Sequence, residues 1–108
     1  MIDLKWDREL ALEQAGEDEE LLAELLDLLR ESAGGDLEKI KSAHDKGNVE
    51  LMGEAAHSIK GAAASLGIEV LREAAYGIEK AGRDGDLDTA SSYLPSLESI
   101  IAELATLK

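Results

Sequence analysis

Apolar residues recur along this sequence at the spacing of one face of a helix. From residue 18 to 33 six leucines form a wide stripe, and from residue 87 to 107 apolar residues follow a heptad-like register. Helix-favouring Ala, Leu, Glu and Lys are abundant and β-branched residues are few. No run alternates between apolar and polar residues as a half-buried strand does. The sequence therefore predicts an all-α fold.

Glycines and capping residues divide the chain into six predicted helices. Glycine commonly closes a helix, and Asp or Asn before the first turn caps its free N–H groups. Gly34-Gly35 is expected to separate two helices, with Asp36 as the N-cap of the second. Pro95 is expected to kink the last helix without ending it, because the apolar register continues past it. The predicted segments, with Asp7 and Asn48 as further N-caps, are 7–15, 18–33, 36–46, 48–66, 69–83 and 87–107.

Short loops between long amphipathic helices favour antiparallel neighbours. We therefore expect an antiparallel four-helix bundle with short additional N-terminal helices, forming one domain over residues 1–108. The apolar stripes of such helices can cover one another inside a single bundle, which favours a monomer.

The charge of the chain excludes several classes of partner and site. With 11 Lys+Arg against 24 Asp+Glu the formal net charge is −13, which disfavours binding to nucleic acid and to anionic membranes. The absence of cysteine excludes disulfides and thiolate chemistry. No apolar run reaches the roughly 20 residues of a membrane span, and the first residues lack the apolar centre of a secretory signal. These observations predict a cytoplasmic protein.

The predicted helix over residues 48–66 carries a histidine on its outward face. With Ile59 at the centre of the buried face, an advance of about 100° per residue places His57 about 160° away from it, toward solvent. The residues around that histidine on the helix have little or no side chain, with one exception that carries a positive charge: Gly53, Gly61, Ala64 and Lys60. An exposed imidazole with a nearby cation and bare backbone is thus expected.

Two interpretations of Gly61 are open. Glycine inside a helix costs about 0.8–1 kcal/mol relative to alanine, so its presence calls for a reason outside the helix. In the first interpretation another protein approaches His57 closely, and Gly61, Gly53 and Ala64 leave room for it. In the second, Gly61 lets a neighbouring helix of the same bundle pack closely.

An exposed histidine suits few kinds of chemistry. A general base needs an orienting partner and a substrate pocket. A metal ligand needs companions, and the other histidine, His44, lies thirteen positions away on another predicted helix, so no metal site is expected. A neutral imidazole can instead act as a nucleophile toward a phosphoryl group, and Lys60 can pair with the phosphoryl oxygens. A hydrolase or metalloenzyme is disfavoured.

The residues that follow His57 carry a resemblance to a known family. The stretch His57-Ser-Ile-Lys60-Gly61-Ala-Ala-Ala-Ser-Leu66-Gly67 resembles the signature of histidine-containing phosphotransfer (HPt) domains of bacterial phosphorelays. That signature has a lysine or arginine three positions after the histidine, a glycine at four, a run of small residues and then Leu/Ile-Gly. The segment 71–87 is also similar to the helix and turn that follow in the family.

The resemblance implies a function and a set of site residues. His57 would accept a phosphoryl group, on Nε2, from the phosphoaspartate of a receiver domain and pass it to another receiver. Lys60 would hold the phosphoryl group, Gly61 would make room for it, and Glu79 would accept a hydrogen bond from Nδ1 of the imidazole. The receiver would supply Mg²⁺ and most catalytic groups, so the chain is expected to bind no cofactor and to be a phosphoryl carrier rather than an enzyme. Ala64, Ile68 and Leu21 are candidate apolar anchors of the docking surface, and the other interpretation of each is a place in the core or a filling role.

Two alternatives remain. The first is the function of chemotaxis-type kinases, in which an HPt-like domain is phosphorylated by the kinase domain of the same protein. The relay function differs in its partners, which would be response-regulator receivers, including those of hybrid sensor kinases. The other alternative is a non-catalytic, acidic helical module that binds a basic partner. In that case His57→Gln would leave the function intact.

Overall fold

The structure is a computed structural model that describes residues 3–108. Within that range the chain forms five α-helices and a short 3₁₀ turn, and no strand beyond one isolated bridge between Trp6 and Ile68. The elements are α1 (Arg8–Gln14), α2 (Glu19–Asp45), α3 (Val49–Ser65), α4 (Glu69–Asp84), α5 (Leu87–Glu103) and the 3₁₀ turn Leu104–Thr106. The predicted all-α fold is confirmed.

Helices α2 to α5 form a four-helix bundle in chain order. Each of them packs against the next, and α5 returns to contact α2. The connections at 46–48, 66–68 and 85–86 are short, so successive helices run antiparallel. One short additional helix, α1, precedes the bundle and lies against α2. The expectation of more than one short N-terminal helix is corrected to one. None of the helices within residues 3–108 combines the length and apolar character that a bilayer crossing requires.

Helix α2 is continuous where the sequence predicts a break. It passes through Gly34-Gly35, and Asp36 lies inside the helix instead of capping a new one. Its buried side chains continue on both sides of the glycines, from Leu29 to Ile40, so packing against the bundle holds the helix together. That packing outweighs the propensity cost of about 1 kcal/mol for each glycine. At about 1.5 Å per residue the helix is about 40 Å long, and the long axis of the molecule measures 42 Å.

Most predicted helix ends are confirmed. Asp7 and Asn48 accept hydrogen bonds from backbone N–H groups in the first turns of α1 and α3. Gly85 ends α4 in the left-handed conformation, with φ 67°, which glycine adopts without steric cost. Helix α5 runs through Pro95 without ending there.

The N-terminal segment fastens the turn between α3 and α4. The indole Nε1 of Trp6 donates to the Leu66 carbonyl at 2.9 Å, and the Asp7 N–H donates to the Gly67 carbonyl at 2.8 Å. Gly67 has φ +69°, and a Cβ there would lie 2.8 Å from the Asp7 oxygen, so only glycine fits. Ile68 is completely buried beneath this segment. Of the two interpretations of Ile68, the one that places it in the core is therefore correct, and the one that makes it a docking anchor is wrong.

Candidate functional site

Helices α3 and α4 approach each other most closely at two glycines. A Cβ on Gly53 would lie 3.2 Å from the Gly82 Cα, and a Cβ on Gly82 would lie 2.8 Å from the Gly53 Cα. Gly53 is buried, so the space that it leaves is occupied by α4 and not open to another protein. The expectation that Gly53 makes room for a partner is therefore wrong. Its effect is to bring α4 close enough for Glu79 to face His57.

The imidazole of His57 extends into solvent from the outward face of α3. Its side chain is 68% exposed, and Nδ1 is hydrogen-bonded to Oε2 of Glu79. The pKa of Glu79 is lowered, first by the hydrogen bond from Lys60 and also by the one with His57, against the opposing effect of burial. The carboxylate is therefore ionised at neutral pH and can only accept. It follows that Nδ1 carries the hydrogen of this bond, and in the neutral ring Nε2 keeps a free lone pair.

Lys60 lies beside the imidazole and is bound by the same carboxylate. Its Nζ donates to Oε1 of Glu79 at 2.6 Å and lies 5.5 Å from the centre of the Tyr76 ring. The side chains are partly or largely buried, at 27% exposure for Lys60 and 13% for Glu79. Glu79 thus joins the ammonium and the imidazole, and the charge of Lys60 is compensated before any phosphoryl group arrives.

Gly61 and Ala64 lie exposed on α3, about one and two turns beyond His57. Among residues 3–108, no atom outside its own stretch of helix would lie within 4 Å of a Cβ on Gly61. No helix of the bundle packs on Gly61, so the interpretation that Gly61 admits a neighbouring helix is wrong. The helix surface next to the imidazole is open to a visiting molecule.

A shallow pocket of about 490 Å³ lies between α3 and α4 at the imidazole. Its lining comprises three carboxylates, two glycines, the imidazole and one cation: Glu50, Glu54, Glu79, Gly53, Gly82, His57 and Arg83. The sequence analysis missed Arg83. Its position four residues after Glu79, and therefore on the same face of α4, was the signal that could have found it.

The second histidine of the chain lies away from this site. His44 lies in the last turn of α2, where its Nε2 is 2.8 Å from the Ser91 hydroxyl of α5. Among residues 3–108 no three His, Asp or Glu side chains come together as metal ligands would. The site therefore consists of an exposed nucleophilic nitrogen, an orienting carboxylate and nearby cations. Such a site can bind and react with an anionic electrophile such as a phosphoryl group.

Comparison with known proteins finds a matching family. The family model described as "Hpt domain" matches residues 24–107. No curated protein matches the chain in sequence.

Two solved structures share the fold. The crystal structure of histidine-containing phosphotransfer protein B (HptB) from Pseudomonas aeruginosa PAO1 is 22% identical. That match covers 94% of this chain and 89% of the other, with a TM-score of 0.86. The HPT domain of a sensor hybrid histidine kinase from Shewanella is 24% identical, with coverages of 98% and 99% and a TM-score of 0.66.

Proposed function

This chain belongs to the Hpt domain family, which performs histidine phosphotransfer in two-component signalling, and from this premise we propose that His57 is the phosphoacceptor. The observation that carries the proposal is the hydrogen bond between Nδ1 and Glu79, which leaves Nε2 of an exposed ring free to attack. His44 is a poor candidate because its Nε2 lies within hydrogen-bond distance of Ser91.

The proposed step is an exchange of one bond to phosphorus for another. The Nε2 lone pair attacks the phosphorus of a receiver's aspartyl phosphate. The N–P bond forms as the acyl O–P bond breaks, and the electron pair of that bond returns to the receiver's aspartate carboxylate. Nδ1 keeps its hydrogen, so the ring becomes positively charged, and the Glu79 carboxylate stabilises this charge. The reverse bond changes deliver the phosphoryl group to a second receiver.

The remaining site residues have supporting roles in this proposal. Lys60 pairs with the phosphoryl oxygens once the new negative charge competes with Glu79 for its ammonium. Gly61 and Ala64 leave space for the phosphoryl group and for the protein that brings it. Mg²⁺ and the remaining catalytic groups belong to the receiver, so the chain is a carrier and needs no cofactor of its own.

The proposed partners are response-regulator receiver domains, including those of hybrid sensor kinases. Hpt domains interact with such receivers. The docking surface consists of the outward face of α3 with the adjoining part of α2, where Leu21 is 39% exposed and Leu28 is 60% exposed. Apolar side chains of this kind provide the energetic anchors of interfaces, with charged residues at the rim. We further propose that residues 1–108 act as one monomeric unit in the cytoplasm, without nucleic acid.

A label-transfer experiment tests the phosphoacceptor. The chain is mixed with a purified receiver that carries a radioactive phosphoryl group on aspartate, and the label on the chain is followed. We expect label that is lost in acid and retained in base, as for phosphohistidine, present in His44→Gln and absent from His57→Gln. Label that remains on His57→Gln, or that survives acid, would overturn the proposal. An unlabelled wild-type chain that still binds its partner would favour the interaction module.

A further inference from the structure

The charges around the imidazole oppose the arrival of a phosphoryl group. Glu50, Glu54 and Glu79 all line the pocket at His57. The incoming group carries up to about two negative charges, and the whole chain already has a net charge of −13. Lys60, the cation three residues after His57 on α3, is held by Glu79 at 2.6 Å, so its charge is compensated in the resting site. A second cation is therefore needed during the approach.

Arg83 is placed to supply this charge. Among the cationic side chains of residues 3–108, Arg83 alone both lines the pocket and makes no ion pair within 4.0 Å. It is exposed and lies one turn after Glu79 on α4, so its Cβ is about 5–6 Å from that of Glu79. A guanidinium presents a planar fork of N–H donors that matches two oxygens of a phosphoryl group.

We propose that Arg83 binds the phosphoryl oxygens during transfer and is the first positive charge of this chain that the incoming group meets. The inference rests on the proposed role of His57. In this proposal Lys60 binds the phosphoryl oxygens later, after the phosphoryl charge has drawn its ammonium away from Glu79. The dependence on Arg83 is thus a consequence of having a carboxylate at position 79.

The first test compares single-turnover transfer rates from a phosphorylated receiver at saturating concentration. We expect Arg83→Ala to slow transfer about tenfold, because it removes charge-assisted hydrogen bonds to the phosphoryl oxygens. Arg83→Lys should retain part of the rate because it keeps the charge and loses the fork. The matched control is Lys80→Ala, which removes an exposed cation of the same helix that pairs with Asp84 and should leave the rate unchanged.

A second comparison tests the link to Glu79. Glu79→Gln can still accept from Nδ1 but no longer compensates Lys60, so the freed ammonium can meet the phosphoryl group. In this background we expect Arg83→Ala to slow transfer by less than about threefold, which is under 1 kcal/mol. An equal loss in both backgrounds would overturn the assigned order of the two cations.

The outcomes separate this inference from the proposed function. If wild type takes no acid-labile label, the role of His57 fails. If wild type takes the label and Arg83→Ala takes it at the same rate, the role of Arg83 fails while that of His57 stands. If Arg83→Ala changes only the receiver concentration at half-maximal rate, Arg83 is a docking contact and the proposed contact with the phosphoryl group is wrong.

Discussion

Glu79 connects the imidazole of His57 and the ammonium of Lys60 in the candidate site. Its oxygens accept from Nδ1 of His57 and from Nζ of Lys60, and the side chain is largely buried between α3 and α4. A carboxylate with two donors is strongly favoured in its ionised form. The same residue therefore orients the ring and compensates the lysine.

The contribution of Glu79 to stability can be measured through its pH dependence. The pKa of Glu79 is lowered in the folded chain, mainly by the hydrogen bond from Lys60. Its stabilising contribution is complete above the ordinary glutamate pKa of about 4.3 and is lost as the pH falls through the lowered value. We expect the difference in free energy of unfolding between wild type and Glu79→Gln to be largest near neutral pH and to shrink in acid. Urea denaturation across a pH series measures it, and a constant difference would contradict the assignment.

Side chains added at Gly61 and at Gly82 are expected to change the free energy of unfolding in opposite directions. Gly61→Ala should raise the free energy of unfolding by about 0.8–1 kcal/mol, because alanine is the better helix former and no described atom outside the local helix lies within 4 Å of the added Cβ. Gly82→Ala should lower it, because the new Cβ would lie 2.8 Å from the Gly53 Cα and 2.9 Å from the Val49 oxygen. Denaturation of both variants checks the pair. Destabilisation by Gly61→Ala would show that Gly61 serves the fold.

A larger side chain at Gly61 should separate stability from function. We expect Gly61→Gln to fold at least as well as wild type, since glutamine is a good helix former. Transfer from a receiver should nevertheless slow severalfold, because the added side chain occupies open surface beside His57. The measurement is the rate of acid-labile labelling, and an unchanged rate would argue against a close approach at this position.

At the scale of the helices, α2 shows how packing overrides a local signal. Gly34 and Gly35 lie inside α2, and within residues 3–108 no atom beyond the local helix lies within 4 Å of a Cβ added at either position. We expect Gly34→Ala and Gly35→Ala to stabilise the fold by about 1 kcal/mol each, and to do so additively. Chemical denaturation of the single and double variants measures this. A loss of stability would indicate that the two glycines are required by contacts within the bundle.

Sequence alone predicted the helix ends that local chemistry determines, and it failed where packing between distant segments decides the structure. Asn48 and Gly85 act locally, through a side-chain cap and a left-handed turn, so their effects could be predicted from the residues themselves. The break at Gly34-Gly35 was a wrong prediction because continuity there depends on packing from other helices. Burial of Ile68 likewise depends on the N-terminal segment, which covers it from more than sixty residues away.

Only part of the candidate site could be predicted, because the pattern within one helix does not describe its contacts with another. The outward direction of His57 follows from the periodicity of one helix. The contact of Gly53 with Gly82 and the pairing of Lys60 with Glu79 join two helices, and no pattern within either helix contains that information.

At the scale of the whole molecule, the excess of negative charge opposes folding. A net charge of −13 on 108 residues repels itself in the compact state. Raising the salt concentration from about 0.01 M to about 0.1 M shortens the screening length from about 30 Å to about 10 Å. We expect the melting temperature to rise over this range, because exposed ion pairs are worth at most about 1 kcal/mol each and their loss is the smaller effect. A fall would show that the ion pairs dominate.

The contact between Gly53 and Gly82 also restricts which substitutions this protein can accept during evolution. A side chain at either position would push α3 and α4 apart, and the imidazole would then part from its carboxylate. Substitution at one site cannot be compensated by a smaller residue at the other, since both already have none. Descendants that diversify their outer surfaces to suit new partners would therefore inherit these two positions as a fixed pair.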